Sequence, residues 1–265
     1  MTETPTLAVR PADPYGANTL VTEQERQRMK LQFNQHAFSI LQSAVAALGG
    51  MAGLTVLDVG SGLGALPASL GQTGELPAEL RLMDLNPGLL TRAGTVARDA
   101  GINTRTHLGA IDRSPLPDHL RNNDLVLCAF TATHVIDLPA AIQHMAAAVR
   151  PQGLVVIVDV DYCESFTVGD AAAAQALAAV QSKLQPHQLA TRLPRLAAAC
   201  GLHATDDIGC ASWLQVYSGR IDVQQTGLGF IGSFLPHDPA VAPWRDIGPD
   251  ARLFMQRLAH VYRRV

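Results

Sequence analysis

Two kinds of hydrophobic pattern alternate through the middle of the chain. Five short apolar runs, rich in branched residues, are typical of strands that are buried on both faces: residues 54–59, 80–85, 104–110, 124–130 and 154–159. The stretches between them predict helices, and Asn86 before Pro87 is a typical helix start. Strands that alternate with helices in this way predict an α/β fold with a doubly wound, mostly parallel sheet.

The segment before this core predicts an arm followed by helices. Residues 1–18 hold several prolines and a glycine, which favours a loose arm. Residues 21–48 have a helical pattern, in which Thr22 and Glu25 are placed as a capping box. Because this stretch is long for a single helix, we expect a break near Asn34.

The alternation ends after the fifth predicted strand. Four further elements are predicted, in this order: Ala-rich helices at residues 170–184 and 187–200, a strand at residues 212–217 and a helix at residues 250–261. Residues 222–240 hold several Gly and Pro and allow no assignment. The pattern therefore leaves the C-terminal part of the sheet undefined.

Composition and charge restrict the class of protein. The chain has 265 residues, of which 48% are hydrophobic and 16% charged, as is typical of a globular protein. A formal net charge of -3 argues against a nucleic-acid partner, which favours a basic face. We expect no membrane span and no signal peptide, because the long apolar stretches that both require are missing from the sequence. Four cysteines without CxxC spacing favour a reducing cytoplasm and predict no metal site.

The segment Asp58–Gly64 carries the most informative chemistry. It follows the first predicted strand, precedes a predicted helix and reads Asp-Val-Gly-Ser-Gly-Leu-Gly. Its glycines allow a ligand close to the backbone, and the helix start offers free N–H groups. The segment is therefore predicted to cradle a nucleotide or a carboxylate. With Ala65 it also satisfies the GxGxxA pattern of dinucleotide-binding proteins, so a nicotinamide cofactor stays an alternative.

Two acidic residues further along the chain favour an adenosine ligand. Asp84, followed by Leu85, ends the second predicted strand, where a carboxylate can bind both hydroxyls of a ribose. Asp112 follows the third predicted strand beside Ile111. This pair can hold an adenine ring and accept a hydrogen bond from its amino group.

Together these segments resemble class I S-adenosylmethionine-dependent methyltransferases. Five of them match in the expected order between residues 55 and 160: VLDVGSGLG, LMDLNP, GAIDR, DLVLCAFTATHV and VRPQGLVVIVD. Residues 27–32 and 192–202 are similar to segments of small-molecule methyltransferases of the methyltransferase-11/25 type. The resemblance implies a Rossmann-like sheet of seven strands in the order 3-2-1-4-5-7-6, with strand seven antiparallel.

The resemblance also implies an organisation and a cofactor. Residues 1–50 would form an N-terminal arm and lid helices, 51–163 the cofactor-binding core, 164–203 a helical insertion on the substrate side, and 204–265 the completion of the sheet. The implied cofactor is S-adenosyl-L-methionine. The residues predicted to bind it are Gln32, Asp58, Gly60, Ser61, Gly62, Gly64, Asp84, Leu85, Ile111, Asp112, Phe130 and Thr131. A homodimer is a further expectation, because lid helices in this class pack on a partner in some members.

Four residues are candidates for the acceptor side. Asp161 and Tyr162 follow the fifth strand, where this family meets its substrate, although a simple loop turn is the competing interpretation. His134 follows the fourth strand and is a candidate general base, since the ordinary pKa of histidine lies near neutrality. A histidine on a helix surface would look the same. Tyr15 in the arm is a candidate to close over the site, unless the arm is merely loose.

The expected reaction is transfer of a methyl group to a small, partly apolar metabolite. The acceptor atom, oxygen, nitrogen or carbon, stays open, and the weakly charged helices after residue 170 favour an uncharged acceptor. Three alternatives keep the same fold. They are a non-methylating reaction of bound S-adenosylmethionine such as cyclisation or decarboxylation, a nicotinamide-dependent oxidoreductase, and a binding protein without turnover.

Overall fold

The computed structural model describes residues 23–113, 115–182, 184, 187–206, 209–229, 231 and 241–265. The predicted N-terminal arm, with Tyr15, lies outside these residues. The helices are α1 (Glu23–His36), α2 (Phe38–Ala47), α3 (Ala65–Thr73), α4 (Pro87–Asp99), α5 (Leu138–Ala148), α6 (Ala171–Gln181), α7 (Leu189–Ala199) and α8 (Val241–Arg245). The strands are β1 (Thr55–Val59), β2 (Glu79–Asp84), β3 (Thr104–Leu108), β4 (Asn123–Ala129), β5 (Val149–Val168), β6 (Leu202–Ala204), β7 (Cys210–Ser218) and β8 (Arg252–Arg264).

The strands form one mixed sheet in the order β3-β2-β1-β4-β5-β8-β6. β1 to β5 are parallel, and β8 is antiparallel to β5 on one side and to β6 and β7 on the other. The Rossmann-like sheet expected from the sequence is thereby confirmed, with β8 in the place of the antiparallel seventh strand. Because β6 and β7 both pair with β8, the sheet has eight strands instead of seven.

β8 shows that the helix predicted at residues 250–261 was wrong. Its sequence is rich in Leu, Met, Arg and Gln, which have good helix propensity. The strand is paired on both sides, and its central residues are buried on both faces, so the alternation of a half-buried strand is missing. Long-range pairing with β5 and β7 overrides the local propensity.

Helices cover both faces of the parallel part of the sheet. Leu57 and Ile157 pack into one apolar cluster with α5 and α7. Val56 and Val156 pack into a second cluster on the opposite face, with α2, α3 and α4. Since consecutive residues of one strand are buried on opposite faces, the continuous apolar runs in the sequence follow directly.

β5 extends well beyond its predicted end at Asp159. It continues through a bulge between Asp161 and Phe166 to Val168, and this outer part pairs with β8. A third apolar cluster joins the extension to α6, α8 and the π-helix Asp222–Gly227. The extension rises beside the carboxyl ends of the parallel strands and forms one wall of the site.

The N-terminal helices close the opposite side of this edge. The predicted break is confirmed, since α1 ends at His36 and α2 begins at Phe38. Ser69 Oγ in α3 donates a hydrogen bond of 2.6 Å to Asn34 Oδ1 in α1. α1 is therefore fixed above the helix that follows the glycine segment.

Candidate cofactor and acceptor site

A cleft of about 470 Å³ lies at the carboxyl ends of β1, β2, β4 and β5 and is covered by α1. This volume is in the range of ~300–1,000 Å³ that is typical of small-molecule sites. Most residues predicted from the sequence line it, namely Gln32, Asp58, Gly60, Ser61, Gly62, Asp84, Leu85, Ile111, Asp112, Phe130, Thr131, His134 and Tyr162. The carboxyl edge of a parallel sheet is where ligands of such folds bind.

The glycine segment forms the floor of the cleft. The N–H groups of Gly60 and Ser61 both donate to the carbonyl of Met83, at 2.8 and 3.0 Å, which ties the segment to the end of β2. Gly60 has a φ of +72°, and a Cβ atom there would lie 2.1 Å from Thr131 Oγ1. Only glycine fits this position, because the end of β4 packs directly on the backbone.

Asp84 is held in place by the main chain. Its Oδ2 accepts a hydrogen bond of 2.8 Å from the N–H of Gly62, and its Oδ1 accepts one of 2.8 Å from the N–H of Asn86. The Asn86 side chain in turn caps α4 by accepting from Gly88 and Leu89, as its position before Pro87 predicted. The carboxylate therefore joins the glycine segment to the start of α4, at the wall of the cleft.

Asp58 is buried beneath this carboxylate. Burial raises the pKa of Asp58 to about 7, the neighbouring charge of Asp84 acts in the same direction, and a hydrogen bond with Ser61 opposes the rise. The Ser61 hydroxyl also lies 2.9 Å from the backbone carbonyl of Asp58. Near neutral pH the two acids therefore carry less than two full charges, and a cation in the cleft favours ionisation of Asp58.

Ile111 and Asp112 form the end of the cleft near β3. Asp112 Oδ2 accepts hydrogen bonds from the N–H groups of Ile136 at 2.7 Å and Asp137 at 3.2 Å. The carbonyl of Ile111 lies 2.6 Å from His144 Nδ1 in α5. These contacts fix the segment after β3 against the loop after β4.

The segment after β4 supplies three of the predicted residues. Phe130 has a φ of +56°, which is rare for a bulky side chain, and its N–H donates to Val158 at 2.7 Å. The Thr131 hydroxyl donates to the carbonyl of Ala129 at 3.2 Å. His134 ends a short 3-10 helix and lines the cleft. The strained backbone at Phe130 turns this segment across the mouth of the site.

The structure does not bring two predicted residues into the cleft. At Gly64 a Cβ atom would lie 3.0 Å from the Cα of Ala93 in α4, so this glycine permits close packing of α3 on α4. The buried Asp161 carboxylate accepts hydrogen bonds from the N–H groups of Cys163 at 3.2 Å and Ala190 at 3.1 Å. It thus braces the start of α7 and does not line the cleft.

The sequence analysis missed Asp159 and the covering residues of α1. Asp159 lines the cleft, is 1% exposed and accepts from the N–H groups of Val160 at 2.7 Å and Thr133 at 3.1 Å. Burial raises the pKa of Asp159 to about 7 against these hydrogen bonds, and the charge of Asp161 adds to the rise. An acid straight after the apolar run of β5 was the signal. Met29 and Phe33 of α1 also line the cleft.

These residues suit an adenosine-type ligand. The cleft offers a carboxylate at the end of β2, a glycine segment without side chains and an apolar residue beside an acid at the end of β3. Among the described residues, no group of three or more His, Cys, Asp or Glu side chains is placed to hold a metal ion. None of the helices in the described part of the chain has both the length and the apolar character to cross a membrane.

Comparison with known proteins agrees with this geometry. Residues 57–157, from β1 to β5, match the family model described as "Methyltransferase domain". The matched segment is thus similar to the methyltransferase domains that this model describes. It contains the glycine segment, Asp84, Asp112 and the end of β4, and therefore most of the cleft.

Relatives and solved structures extend the likeness beyond the methyltransferase domain. The chain is 29% identical over 107 residues to the ubiquinone/menaquinone biosynthesis C-methyltransferase UbiE of Idiomarina loihiensis. These aligned residues make up 40% of this chain and 43% of that protein. The chain thus spans about half the length, or less, of the curated relatives it matches.

Two solved structures show the same fold over most of the chain. The YcgJ protein of Bacillus subtilis matches with a TM-score of 0.56 at 17% identity, and the match covers 86% of this chain and 99% of the YcgJ chain. The geranyl diphosphate C-methyltransferase of Streptomyces coelicolor A3(2), in complex with S-adenosyl-L-homocysteine, matches with a TM-score of 0.52 at 14% identity. This match covers 97% of this chain and 89% of that protein. The likeness in fold therefore extends over most of the chain, well beyond residues 57–157.

Proposed function

We propose that this chain binds S-adenosyl-L-methionine in the cleft and transfers its methyl group to a small, partly apolar metabolite. The observation that carries the proposal is Asp84, a carboxylate at the end of β2 that lines the cleft and is fixed by the N–H of Gly62. An acid in this place beside a glycine segment is suited to bind the hydroxyls of a ribose. The match of residues 57–157 to the methyltransferase domain supports the same cofactor.

Other residues would bind the remaining parts of the cofactor. Gly60 and Gly62 allow close approach to the backbone at the floor of the cleft. Ile111 and Asp112 would hold the adenine ring at the end near β3. Gln32 of α1, whose Oε1 accepts from Arg28 Nη1 at 2.6 Å, would contact the methionine end.

The bound cofactor would supply an electrophilic methyl group, which leaves the protein the tasks of binding, orientation and exclusion of water. Met29 and Phe33 of α1 cover the cleft and keep water from it. Tyr162 orients the acceptor, and His134 takes the proton of a hydroxyl acceptor, whereas an amine acceptor loses its proton to solvent.

Thermal unfolding with three ligands tests the cofactor. S-adenosylmethionine and S-adenosylhomocysteine should each stabilise the protein, by about 2.7 kcal/mol at 100-fold excess over Kd, and NAD+ should not. Stabilisation by NAD+ alone would overturn the proposal and favour the oxidoreductase alternative.

Asp84→Asn tests the residue that carries the proposal. The substitution keeps the size of the side chain and removes the charged acceptor, and hydrogen bonds to charged groups contribute about 1.5–3 kcal/mol. We therefore expect the Kd for S-adenosylhomocysteine to rise about 10- to 100-fold in calorimetry. Asp118→Asn, at a side chain that is 98% exposed, is the matched control and should leave the Kd unchanged.

Turnover separates methyl transfer from the remaining alternatives. Incubation of the protein with S-adenosylmethionine and a small-molecule extract should release S-adenosylhomocysteine. A protein that binds the cofactor and releases none with any extract would instead catalyse a non-methylating reaction or serve as a binding protein. Methylation of RNA or protein only would contradict the substrate class.

A further inference from the structure

A buried and unpaired positive charge lies behind the cleft. Arg257 in β8 is 3% exposed, and its Nη2 donates a hydrogen bond of 2.6 Å to the hydroxyl of Tyr217. Among the residues that the structure describes, its Nε and Nη1 have no hydrogen-bond partner. Within the described part of the chain no acidic side chain forms an ion pair with it. The buried guanidinium therefore has N–H groups at Nε and Nη1 that can donate to a ligand.

Three residues connect Arg257 with the part of the cleft lined by Phe130, Val160 and Tyr162, here named the acceptor end. The guanidinium carbon lies 5.9 Å from the centre of the Phe130 ring. Val160 is the partner of Arg257 in the ladder between β5 and β8. The charge of Arg257 also acts on Tyr162, where it works against the effect of burial on the pKa. The charge thus stands directly behind the wall of the acceptor end.

The titratable groups around Arg257 do not neutralise it. Burial, and then the charge of Arg257, lowers the pKa of His36 to about 4, so this histidine is neutral at pH 7. Burial raises the pKa of Tyr162 to about 12, so this phenol is neutral as well. Asp159 forms no ion pair with Arg257 within the described part of the chain.

An isolated charge in an apolar interior is unfavourable unless a partner of opposite charge arrives. Arg28 and Asp159 also line the cleft near Tyr162. The remainder of the acceptor end is apolar, since Met29, Phe130 and Val160 belong to one hydrophobic cluster. A guanidinium with free N–H groups is well matched to a carboxylate. We propose that the methyl acceptor is a molecule with an apolar body and a carboxylate, and that Arg257 is the residue that selects it.

This inference rests on the proposed function and refines it. The sequence favoured an uncharged acceptor because the helices after residue 170 carry few charges. Arg257 replaces the expectation of an uncharged acceptor by that of one anionic group, placed at the acceptor end. The body of the acceptor stays apolar, and its anionic group is held at the acceptor end, beside the Phe130 ring whose centre lies 5.9 Å from the guanidinium carbon.

Pairs of probes that differ only in charge test the inference. Protein saturated with S-adenosylhomocysteine is titrated with benzoate, phenylacetate and cinnamate, and with the corresponding neutral amides. The wild-type protein should bind at least one carboxylate tenfold or more tightly than its amide. Arg257→Met should lose this preference, and Arg257→Lys should keep part of it because the charge remains.

The controls separate the charge from its surroundings. Tyr217→Phe removes the one hydrogen-bond partner of Arg257 and leaves the guanidinium, so the preference for carboxylates should persist. If Arg257→Met does not fold, the wild-type preference and its reduction in Arg257→Lys decide the question.

Failure has two distinguishable forms. If the wild-type protein does not bind S-adenosylhomocysteine, the proposed function fails and the inference falls with it. If it binds the cofactor product but binds each carboxylate no better than its amide, or if Arg257→Met keeps an unchanged preference, the inference alone is overturned. Arg257 would then serve only to hold Tyr217 in the wall.

Discussion

At the scale of single residues, the cleft is shaped by acids that folding has removed from water. Asp58 of β1 and Asp159 of β5 lie in strands on either side of β4, and burial raises the pKa of each to about 7. Main-chain N–H groups hold both Asp84 and Asp159. The site therefore contains two acids, Asp58 and Asp159, whose charge near neutral pH responds to a bound cation.

The raised pKa of Asp58 predicts a pH dependence of stability. Folding favours the protonated carboxyl, so its contribution is fully present below about pH 4 and is lost as the pH rises through about 7. Asp58→Asn cannot ionise. As the pH rises from 5 to 8, the wild-type protein should therefore lose roughly 1–4 kcal/mol of its free energy of unfolding relative to the variant. Urea denaturation at both pH values measures the difference. Equal pH slopes for both proteins would refute the expectation.

Gly60 permits a test of the close packing between β1 and β4. Gly60→Ala should lower the free energy of unfolding by more than the ~1 kcal/mol expected for a positive φ alone, because its Cβ would collide with Thr131. Gly101→Ala is the matched control, since Gly101 has nearly the same φ of +74° and open space around it. Thermal unfolding of the two variants checks the order. A cost at Gly101 as large as that at Gly60 would show that the contact with Thr131 is unimportant.

The sequence points to residues of the cleft where a strand ends at a recognisable turn. Asp84 and Gly60 were found because strand ends and glycine segments are local signals, and both line the cleft. Asp159 has a similar local signal and was overlooked. Arg257 has none, because it lies in the middle of a strand whose partners are distant in sequence.

At the scale of elements, α7 depends on a carboxylate from another element. Gln188 at its N-terminus makes no side-chain cap, and Asp161 of β5 accepts from the N–H of Ala190 instead. Asp161→Ala should lower the free energy of unfolding by about 1–2 kcal/mol, as loss of a helix cap does. Asp170→Ala, which removes the cap of α6, should have a similar effect and serves as the comparison.

The same variant tests the role predicted for Asp161 from the sequence. If the residue is structural, binding of S-adenosylhomocysteine and of the acceptor by Asp161→Ala should match that of the wild-type protein below the unfolding transition. A variant of unchanged stability that binds the acceptor poorly would restore the sequence prediction.

Elements with strong local signals were predicted and β8 was not. The start of α4 at Asn86 and Pro87 and the break after His36 are set by residues close in sequence. β8 is set by eleven paired positions on β5 and by a second ladder on β7. Such pairing outweighs intrinsic propensity, and a single sequence does not show it.

At the scale of the whole molecule, the two sides of the sheet should respond differently to ligand. α1 supplies Met29 and Phe33 to the cleft, whereas α7 packs into the cluster on the opposite face. If local opening of α1 breaks the site, S-adenosylhomocysteine at 100-fold excess over Kd should slow amide exchange in α1 by up to ~100-fold. Exchange by local opening of α7 should change little. Hydrogen exchange with mass spectrometry measures both, and equal protection of the two helices would contradict this division.

The position of β8 has a consequence for how the chain is made. β6 and β7 are synthesised before β8, yet in the described part of the chain both pair with β8, which stands between them and β5. During synthesis the backbone groups of β6 and β7 that pair with β8 therefore stay unpaired until β8 is made. The parallel half from β1 to β5 can already assemble by then. Arg257 lies in β8. Its charge would therefore be placed behind the acceptor end only after the other strands have been synthesised.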